Sequence, residues 1–271
     1  MIKAGVIGHP IGHSKSPLIH GHWIQKYGLD GSYQAIDIAP ENLRGEIERL
    51  TEEGYAGFNV TIPHKQSVMP LCDTLDDAAR QIGAVNTVII KDKKLHGLNT
   101  DAFGFTENLK DNLKIFDFTR RPAVVLGAGG AARAVIHALL CEDTPKIIIT
   151  NRTQEKAEIL KGMNPERIKI IPWDDREQAL KTAGLLVNTT SLGMTGQPPL
   201  EMDLSAAPQD MAVCDIVYAP LMTGLLTQAK EKGLPVVTGI SMLLHQARPA
   251  FEAWFGVLPD VDNELKEKIG A

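Results

Sequence analysis

The run Asn59-Val60-Thr61-Ile62-Pro63-His64-Lys65 opens with neutral hydrogen-bonding groups and ends in a primary amine that can exchange a proton with a bound oxygen. If an extended strand continues through Thr61, Asn59 and Thr61 face the same way and can bind vicinal hydroxyls. Asp101 offers a carboxylate that can hold the Lys65 ammonium and alter its proton affinity, while partial desolvation of the lysine pulls the other way. Ser14 and Ser16, in His13-Ser14-Lys15-Ser16-Pro17, can turn their hydroxyls into one pocket, where a helix starting at Pro17 favours a carboxylate. Taken locally these residues have a plainer reading, which the local pattern favours. They are a strand end, Asx or Thr caps, turn serines, a solvated lysine, and in Asp101 the cap of a helix over 102–113.

A second constellation suits a dinucleotide. Ala123-Val124-Val125-Leu126 reads as a buried strand, Gly127-Ala128-Gly129-Gly130-Ala131 as the turn after it, and 131–140 as the helix that follows. A pyrophosphate would lie on the unpaired N–H groups at that helix's start. The next strand, 146–150, ends about 20 residues beyond the glycines, where such a unit presents its ribose-reading side chain. A carboxylate there suits the free 2′-hydroxyl of NAD. In Asn151-Arg152-Thr153 the chain instead carries a guanidinium suited to a 2′-phosphate, Thr153 adds a hydroxyl and Lys156 lies one turn on, so NADP is the expected cofactor. Thr189-Thr190-Ser191-Leu192-Gly193-Met194 follows a strand over 185–188 and can border the nicotinamide, or be a polar strand exit with Met194 filling a gap. Tyr218 can reach a substrate, or be a partly buried structural tyrosine.

The elements needed to position these groups alternate along the chain. Strands are expected at 3–7, 32–36, from Phe58 on, 85–90 and 95–98, the last two joined around Asp92-Lys93. Helices are expected from a Ser16 cap to Gly28, around Leu43, Ile47 and Leu50 to a stop at Gly54, and over 73–82. Beyond Asp101 come a helix carrying Phe105, Leu109 and Leu113, further strands at 168–171, 212–217 and 235–238, and a helix over 221–232. From Ile240 the chain turns helical, with a bend or interruption at Pro249 and a final amphipathic segment through Val261, Leu265 and Ile269. The expected class is α/β, with two open α/β domains. Residues 1–101 form a substrate-binding sheet, 102–238 a mostly parallel Rossmann-like dinucleotide sheet, and 239–271 helices that return to the first domain and carry Gln246 toward an interdomain cleft.

With 271 residues, 44% hydrophobic and 23% charged, and a formal net charge of -5, the chain is an ordinary globular protein with no global attraction to nucleic acid or anionic membrane. It has no apolar run long enough to cross a bilayer and no secretory pattern at its start, so a cytoplasmic location is expected. Cys72, Cys141 and Cys214 read as reduced core thiols. His9, His13, His20, His22 and His64 lack the companions of a metal site and read as solvated loop or helix-surface histidines, so no metal is expected. The terminal helices allow a monomer, and an exposed sheet edge allows a homodimer.

Together these positions closely resemble the shikimate dehydrogenase family. The marks are Ser14-Lys15-Ser16-Pro17, the run from Asn59 to Lys65, Gly83-Ala84-Val85-Asn86-Thr87, Asn99-Thr100-Asp101, the glycine turn and Asn151-Arg152-Thr153. Further marks are the runs from Asn188 to Met194, Asp215 to Pro220, and Gly239 to Gln246; one departure is Ala247-Arg248, where the family commonly has Gly-Ala. The resemblance implies reversible NADPH-dependent reduction of 3-dehydroshikimate to shikimate on the route to chorismate and aromatic amino acids. It implies Lys65 and Asp101 at the centre of catalysis, with Ser14, Ser16, Asn59, Thr61, Asn86, Tyr218 and Gln246 around the ring acid. The glycine turn, Asn151-Arg152-Thr153 and Lys156 would hold NADP, with Thr189, Met194, Val217, Gly239 and Met242 toward its nicotinamide. A quinate/shikimate dehydrogenase is the enzymatic alternative, and a noncatalytic NADP-binding regulator the alternative of another class.

Overall fold

Short apolar runs and helical periodicities resolve into two six-stranded sheets. The computed structural model describes residues 1–270. One unit holds Met1–Asp101 with the residues from Leu244 onward, and the other holds Ala102–Leu243.

The first unit contains β1 (Ile2–Gly8), α1 (Ser16–Lys26), β2 (Gly31–Asp37), α2 (Leu43–Glu52), β3 (Tyr55–Val60), β4 (Thr74–Leu75), α3 (Asp77–Ile82), β5 (Thr87–Lys91) and β6 (Lys94–Leu98). Its sheet runs β2-β1-β3-β5-β6-β4. β1 lies parallel to β2 and β3, whereas β5 pairs antiparallel with both β3 and β6. The hairpin from β5 to β6 turns on Asp92 and Lys93, whose φ values of 51° and 60° match the twist that two-residue hairpins require. Alternation divides this sheet's side chains. Ile7, Phe58, Val60 and Val88 pack with Leu43, Ile47 and Leu50 of α2. Tyr33 and Asn59, offset by one residue in their strands, belong to the opposite face, where Tyr33 stacks on His20 of α1.

That second face is sealed by α1 and by α8 (Ile240–Phe255), with α9 (Asn263–Ile269) beyond it. His20, Trp23, Tyr33, Phe251 and Trp254 make one aromatic cluster, and the Trp254 indole donates to the Val88 carbonyl at 3.2 Å. Gly57 makes this possible: a Cβ there would overlap both the Val88 carbonyl oxygen and the Trp254 indole nitrogen. Gly57→Ala is therefore expected to lower the unfolding free energy by about 3 kcal/mol, read from urea denaturation, because neither backbone oxygen nor packed indole can yield. An unchanged midpoint would contradict this packing.

Several boundaries depart from the sequence pattern for identifiable reasons. Ser16 is the first residue of α1 rather than its cap; Lys15 holds the cap position, and Ser14 Oγ accepts from the Ser16 N–H at 3.3 Å. Thr74 and Leu75 join the sheet edge beside β6, and α3 begins only after Asp76, whose carboxylate accepts from the Ala79 N–H at 2.6 Å. β3 begins at Tyr55 and closes at Val60, so Thr61 lies just past the strand, its N–H still bonded to the Ile7 carbonyl at 3.0 Å. Pro249 sits inside α8 without ending it, because Ala247, Ala250, Phe251 and Trp254 are buried on both sides of it and hold the helix against the lost N–H bond. α9 starts after Asp262, whose carboxylate accepts from the Leu265 N–H at 2.7 Å, leaving Val261 outside. Arg248, at the departure from the family pattern, donates to the Pro259 carbonyl at 2.7 Å.

The second unit contains α4 (Asp101–Asn112, its first residue belonging to the other unit), β7 (Ala123–Leu126), α5 (Gly130–Cys141), β8 (Ile147–Thr150), α6 (Gln154–Lys161), β9 (Ile168–Ile170), β10 (Leu185–Asn188), β11 (Ala212–Asp215), α7 (Gly224–Glu231) and β12 (Val236–Val237). All pairings are parallel, in the order β12-β11-β10-β7-β8-β9. Val124, Leu126, Ile148, Leu186 and Val213 pack against Leu225, Leu226 and Ala229 of α7. The alternate residues Val125, Ile149, Val187 and Cys214 are buried too, as a parallel sheet covered on both faces demands. α7 is shorter than expected, since Thr223 caps it by accepting from the Leu226 N–H.

Two composition-level expectations are corrected. Only Cys214 is a core thiol; Cys72 is half-buried and Cys141 exposed. His20, His22 and His64 are buried rather than solvated. Burial drives His20 down to about pKa 3, against a smaller opposing contribution from Asn59, so it serves the aromatic cluster as a neutral ring. Among the described residues no group of three or more His, Cys, Asp or Glu could hold a metal ion, and no helix is long and apolar enough to cross a membrane.

Candidate active site

Two constellations form, one in each unit. In the first, Lys65 Nζ donates to Asp101 Oδ2 at 2.6 Å, with the lysine side chain 30% and the carboxylate 13% exposed. Asn86 Nδ2 donates to the other carboxylate oxygen at 2.8 Å. The Asn86 amide cannot flip, because its Oδ1 receives the Thr100 N–H at 2.9 Å and the Thr87 hydroxyl at 3.0 Å. Asp101 is thus oriented as a carboxylate acceptor and is the first residue of α4 rather than its cap; its own N–H donates to Asn99 Oδ1 at 3.0 Å. Gln246, carried by α8, meets Asn86 Nδ2 at 3.3 Å through its Oε1. Lys65, Asn86, Asp101 and Gln246 therefore come together within one unit, although Gln246 lies far along the chain.

Asn59 joins the same network from β3. Its Nδ2 donates to Thr87 Oγ1 at 3.0 Å and to the Asn86 carbonyl at 3.3 Å, and its Oδ1 accepts the Tyr33 hydroxyl at 2.6 Å. Both amide hydrogens are committed, so a ligand meets Asn59 through oxygen. Ser14 and Thr61 are half-buried and Ser16 is buried at the start of α1. His64, inside the motif, is structural: buried, it donates through Nε2 to the Ile38 carbonyl at 2.7 Å. Thr87, Thr100 and Tyr33 were not singled out from sequence. Thr87 and Thr100 each follow a motif asparagine, which is a signal for them, whereas nothing local marks Tyr33.

In the second unit the strand order changes direction between β7 and β10, and ligands of such sheets lie outside the carboxyl ends of the strands at that point. Gly127 leaves β7 there with φ 110°, and a Cβ on it would lie 2.6 Å from Thr189 Oγ1 at the exit of β10. Gly129 and Gly130 are exposed and face open space at the start of α5, where no side chain caps the helix N–H groups. Side-chain-free backbone donors at the positive end of a twelve-residue helix fit a pyrophosphate. Ala128 and Ala131 are half-buried in the same turn.

β8 is the neighbour of β7, and Arg152, Thr153 and Lys156 are exposed just beyond its end. Asn151 is spent on the turn itself, donating to the Thr153 carbonyl at 2.8 Å, and so presents Arg152. On the other side of β7, Thr189 is also committed, its hydroxyl donating to the Leu126 carbonyl at 2.6 Å. Met194 and Tyr218 are each 38% exposed, which sets aside the gap-filling reading of Met194. Val217 is buried beyond β11, and a Cβ on the buried Gly239 would overlap the Ile216 carbonyl, so the two segments meet backbone to backbone. Met242, in the first turn of α8, is 9% exposed.

Models of three protein families match the chain: shikimate dehydrogenase substrate binding domain over residues 6–88, shikimate/quinate 5-dehydrogenase over 110–215, and shikimate 5′-dehydrogenase C-terminal domain over 239–263. Shikimate dehydrogenase (NADP(+)) of Paramagnetospirillum magneticum is 49% identical over 264 residues, spanning 97% of this chain and 96% of that protein. Among solved structures, shikimate 5-dehydrogenase of Thermus thermophilus in complex with NADP(H) and shikimate superposes with a TM-score of 0.86 at 38% identity, covering 96% of this chain and 95% of the other. Quinate dehydrogenase of Corynebacterium glutamicum in complex with NAD superposes with a TM-score of 0.92 at 30% identity, covering 100% and 99%.

Proposed function

The chain belongs to the shikimate dehydrogenase family, and we propose that Lys65 is its acid–base group, partnered by Asp101. It is an NADP-dependent oxidoreductase that reversibly reduces 3-dehydroshikimate to shikimate on the route to chorismate and aromatic amino acids. The observation that carries the residue assignment is the 2.6 Å contact of Lys65 Nζ with a carboxylate whose other oxygen is held by Asn86.

Bound NADPH supplies the hydride for the reduction. Lys65 gives a proton to the ketone oxygen as that oxygen gains charge, and removes the alcohol proton in the reverse direction. Asp101 keeps the ammonium aimed and has lone pairs left to accept a neighbouring substrate hydroxyl. Asn59, Thr61, Asn86 and Gln246 bind further hydroxyls, while Ser14 and Ser16, next to the start of α1, receive the substrate carboxylate. Tyr218 contributes to the same substrate. Gly127 to Ala131 take the pyrophosphate, Asn151 to Thr153 with Lys156 take the 2′-phosphate end, and Thr189, Met194, Val217, Gly239 and Met242 border the nicotinamide.

The reading places a small-molecule reaction in the cytoplasm, without a nucleic-acid or membrane partner. A homodimer, where one forms, would use an open sheet edge such as β2. The deciding assay follows NADPH absorbance with purified protein. Shikimate with NADP⁺ is expected to exceed quinate with NAD⁺ by at least about tenfold in kcat/KM, a gap of about 1.4 kcal/mol. A preference for quinate with NAD⁺ would replace this reading with the quinate enzyme, and no turnover of either would leave a binding protein.

A further inference from the structure

The last residue of β11, Asp215, is a carboxylate with no exposed surface, and it takes no part in the chemistry above. Its side chain gathers three segments. Oδ1 accepts the Val217 N–H at 3.0 Å and the Asn188 amide at 3.0 Å, and Oδ2 accepts the Thr223 hydroxyl at 2.7 Å. Asn188 stands opposite Asp215 in the sheet register and ends β10. Its own amide is fully used: Nδ2 also reaches the Leu192 carbonyl at 3.2 Å, while Oδ1 accepts the Thr190 N–H at 3.0 Å and hydroxyl at 2.7 Å. Thr223 in turn caps α7. One buried carboxylate thus fastens the exit of β10, the exit of β11 and the first turn of α7.

Those exits carry the residues assigned to the nicotinamide end of the cofactor, Thr189 and Met194 on one and Val217 on the other. Burying a carboxylate is costly, and here desolvation outweighs its three donors, holding its pKa at about 6. Closing two strand exits would not require an ionisable group; what the fork requires is a planar group with fixed polar atoms at the point where a backbone N–H, an amide and a hydroxyl converge.

We propose that Asp215 is a positioning residue for the nicotinamide half of the cofactor, acting through the loops after β10 and β11 rather than by touching the ligand. The proposal rests on the cofactor reading above. It predicts a separation between the two ends of the cofactor, because the 2′-phosphate end is held after β8, away from this fork.

The test compares NADP⁺ with adenosine 2′,5′-bisphosphate, which carries the phosphate end alone, by calorimetry on the full-length protein and its variants. Asp215→Ala is expected to weaken NADP⁺ by about tenfold or more, because the loops bordering the nicotinamide lose their shared anchor, and to leave the bisphosphate within about twofold. Asp215→Asn keeps an oxygen for Val217 and Asn188 and an amide for the Thr223 oxygen, and should restore NADP⁺ binding to within about threefold. Equal weakening of both ligands by Asp215→Ala would make the fork merely structural and overturn the proposal, as would Asp215→Asn losing as much NADP⁺ affinity as Asp215→Ala while melting like the unsubstituted protein. Failure of the underlying cofactor reading would show differently, as an unsubstituted protein that binds neither ligand.

Discussion

Lys65→Ala is expected to lower kcat by about 10²–10⁴-fold in both directions while shifting the dissociation constant of shikimate only severalfold. The split follows from what the amine does. Its proton moves only as charge develops on the substrate oxygen, so its loss is felt in the transition state, whereas hydroxyl recognition remains with Asn59, Asn86, Asp101 and Gln246. Removal also leaves Asp101, 13% exposed, with Asn86 as its remaining partner in this network, so a modest loss of stability should accompany the loss of rate. Lys65→Arg separates charge from proton transfer. Arginine keeps a cation beside Asp101 but stays protonated throughout the working pH range, so binding should survive and turnover should not. Rate–pH profiles of the three proteins with calorimetric shikimate binding decide the matter. Near-normal turnover of Lys65→Ala at any pH would remove Lys65 from the mechanism.

The second large effect is on cofactor choice. Arg152→Ala should reduce kcat/KM for NADPH by about 10–100-fold and leave NADH nearly unchanged, because a charge-assisted bond to the 2′-phosphate is worth about 1.5–3 kcal/mol and NADH has no such phosphate. Arg152 is exposed, so the discrimination should shrink as salt is raised. Lys156, exposed on the first turn of α6, would retain part of the attraction and keep the loss below complete. Kinetics with both cofactors at two ionic strengths provide the measurement. Equal losses with NADH and NADPH would mean that Arg152 supports the loop rather than reading the phosphate.

The residues assigned to the proposed chemistry stand out in the sequence because their types would be set by the reaction and not by packing. A glycine turn followed by Asn151-Arg152-Thr153 is readable without a structure: backbone approach to phosphate requires glycines, and a 2′-phosphate requires a cation. The competing local readings were partly right as well. Thr189 spends its hydroxyl on a carbonyl of the scaffold, as a polar strand exit would, and Asn99 accepts the first N–H of α4 from just ahead of Asp101 in the same motif. The least legible features were long-range. Nothing local announces that Thr74 and Leu75 will pair with β6, that α8 will run through Pro249, or that His20 will be buried against Tyr33. Each is decided by a partner distant in sequence: strand pairing with β6 for Thr74 and Leu75, and burial that outweighs local propensity for α8 and His20.

From its amino acids alone this chain specified the class of fold and the kind of cofactor, and offered Lys65 and Asp101 as the amine and carboxylate of the proposed chemistry, since periodicity, turn chemistry and charge act over a few residues. Tertiary structure decided which oxygen of Asp101 faces Lys65, which way the Asn86 amide points, and that Asp215 would be buried as a fork between two strand exits. Those outcomes depend on donors and acceptors brought together from distant positions, where each buried polar group must find a partner and the partner is not a neighbour in sequence.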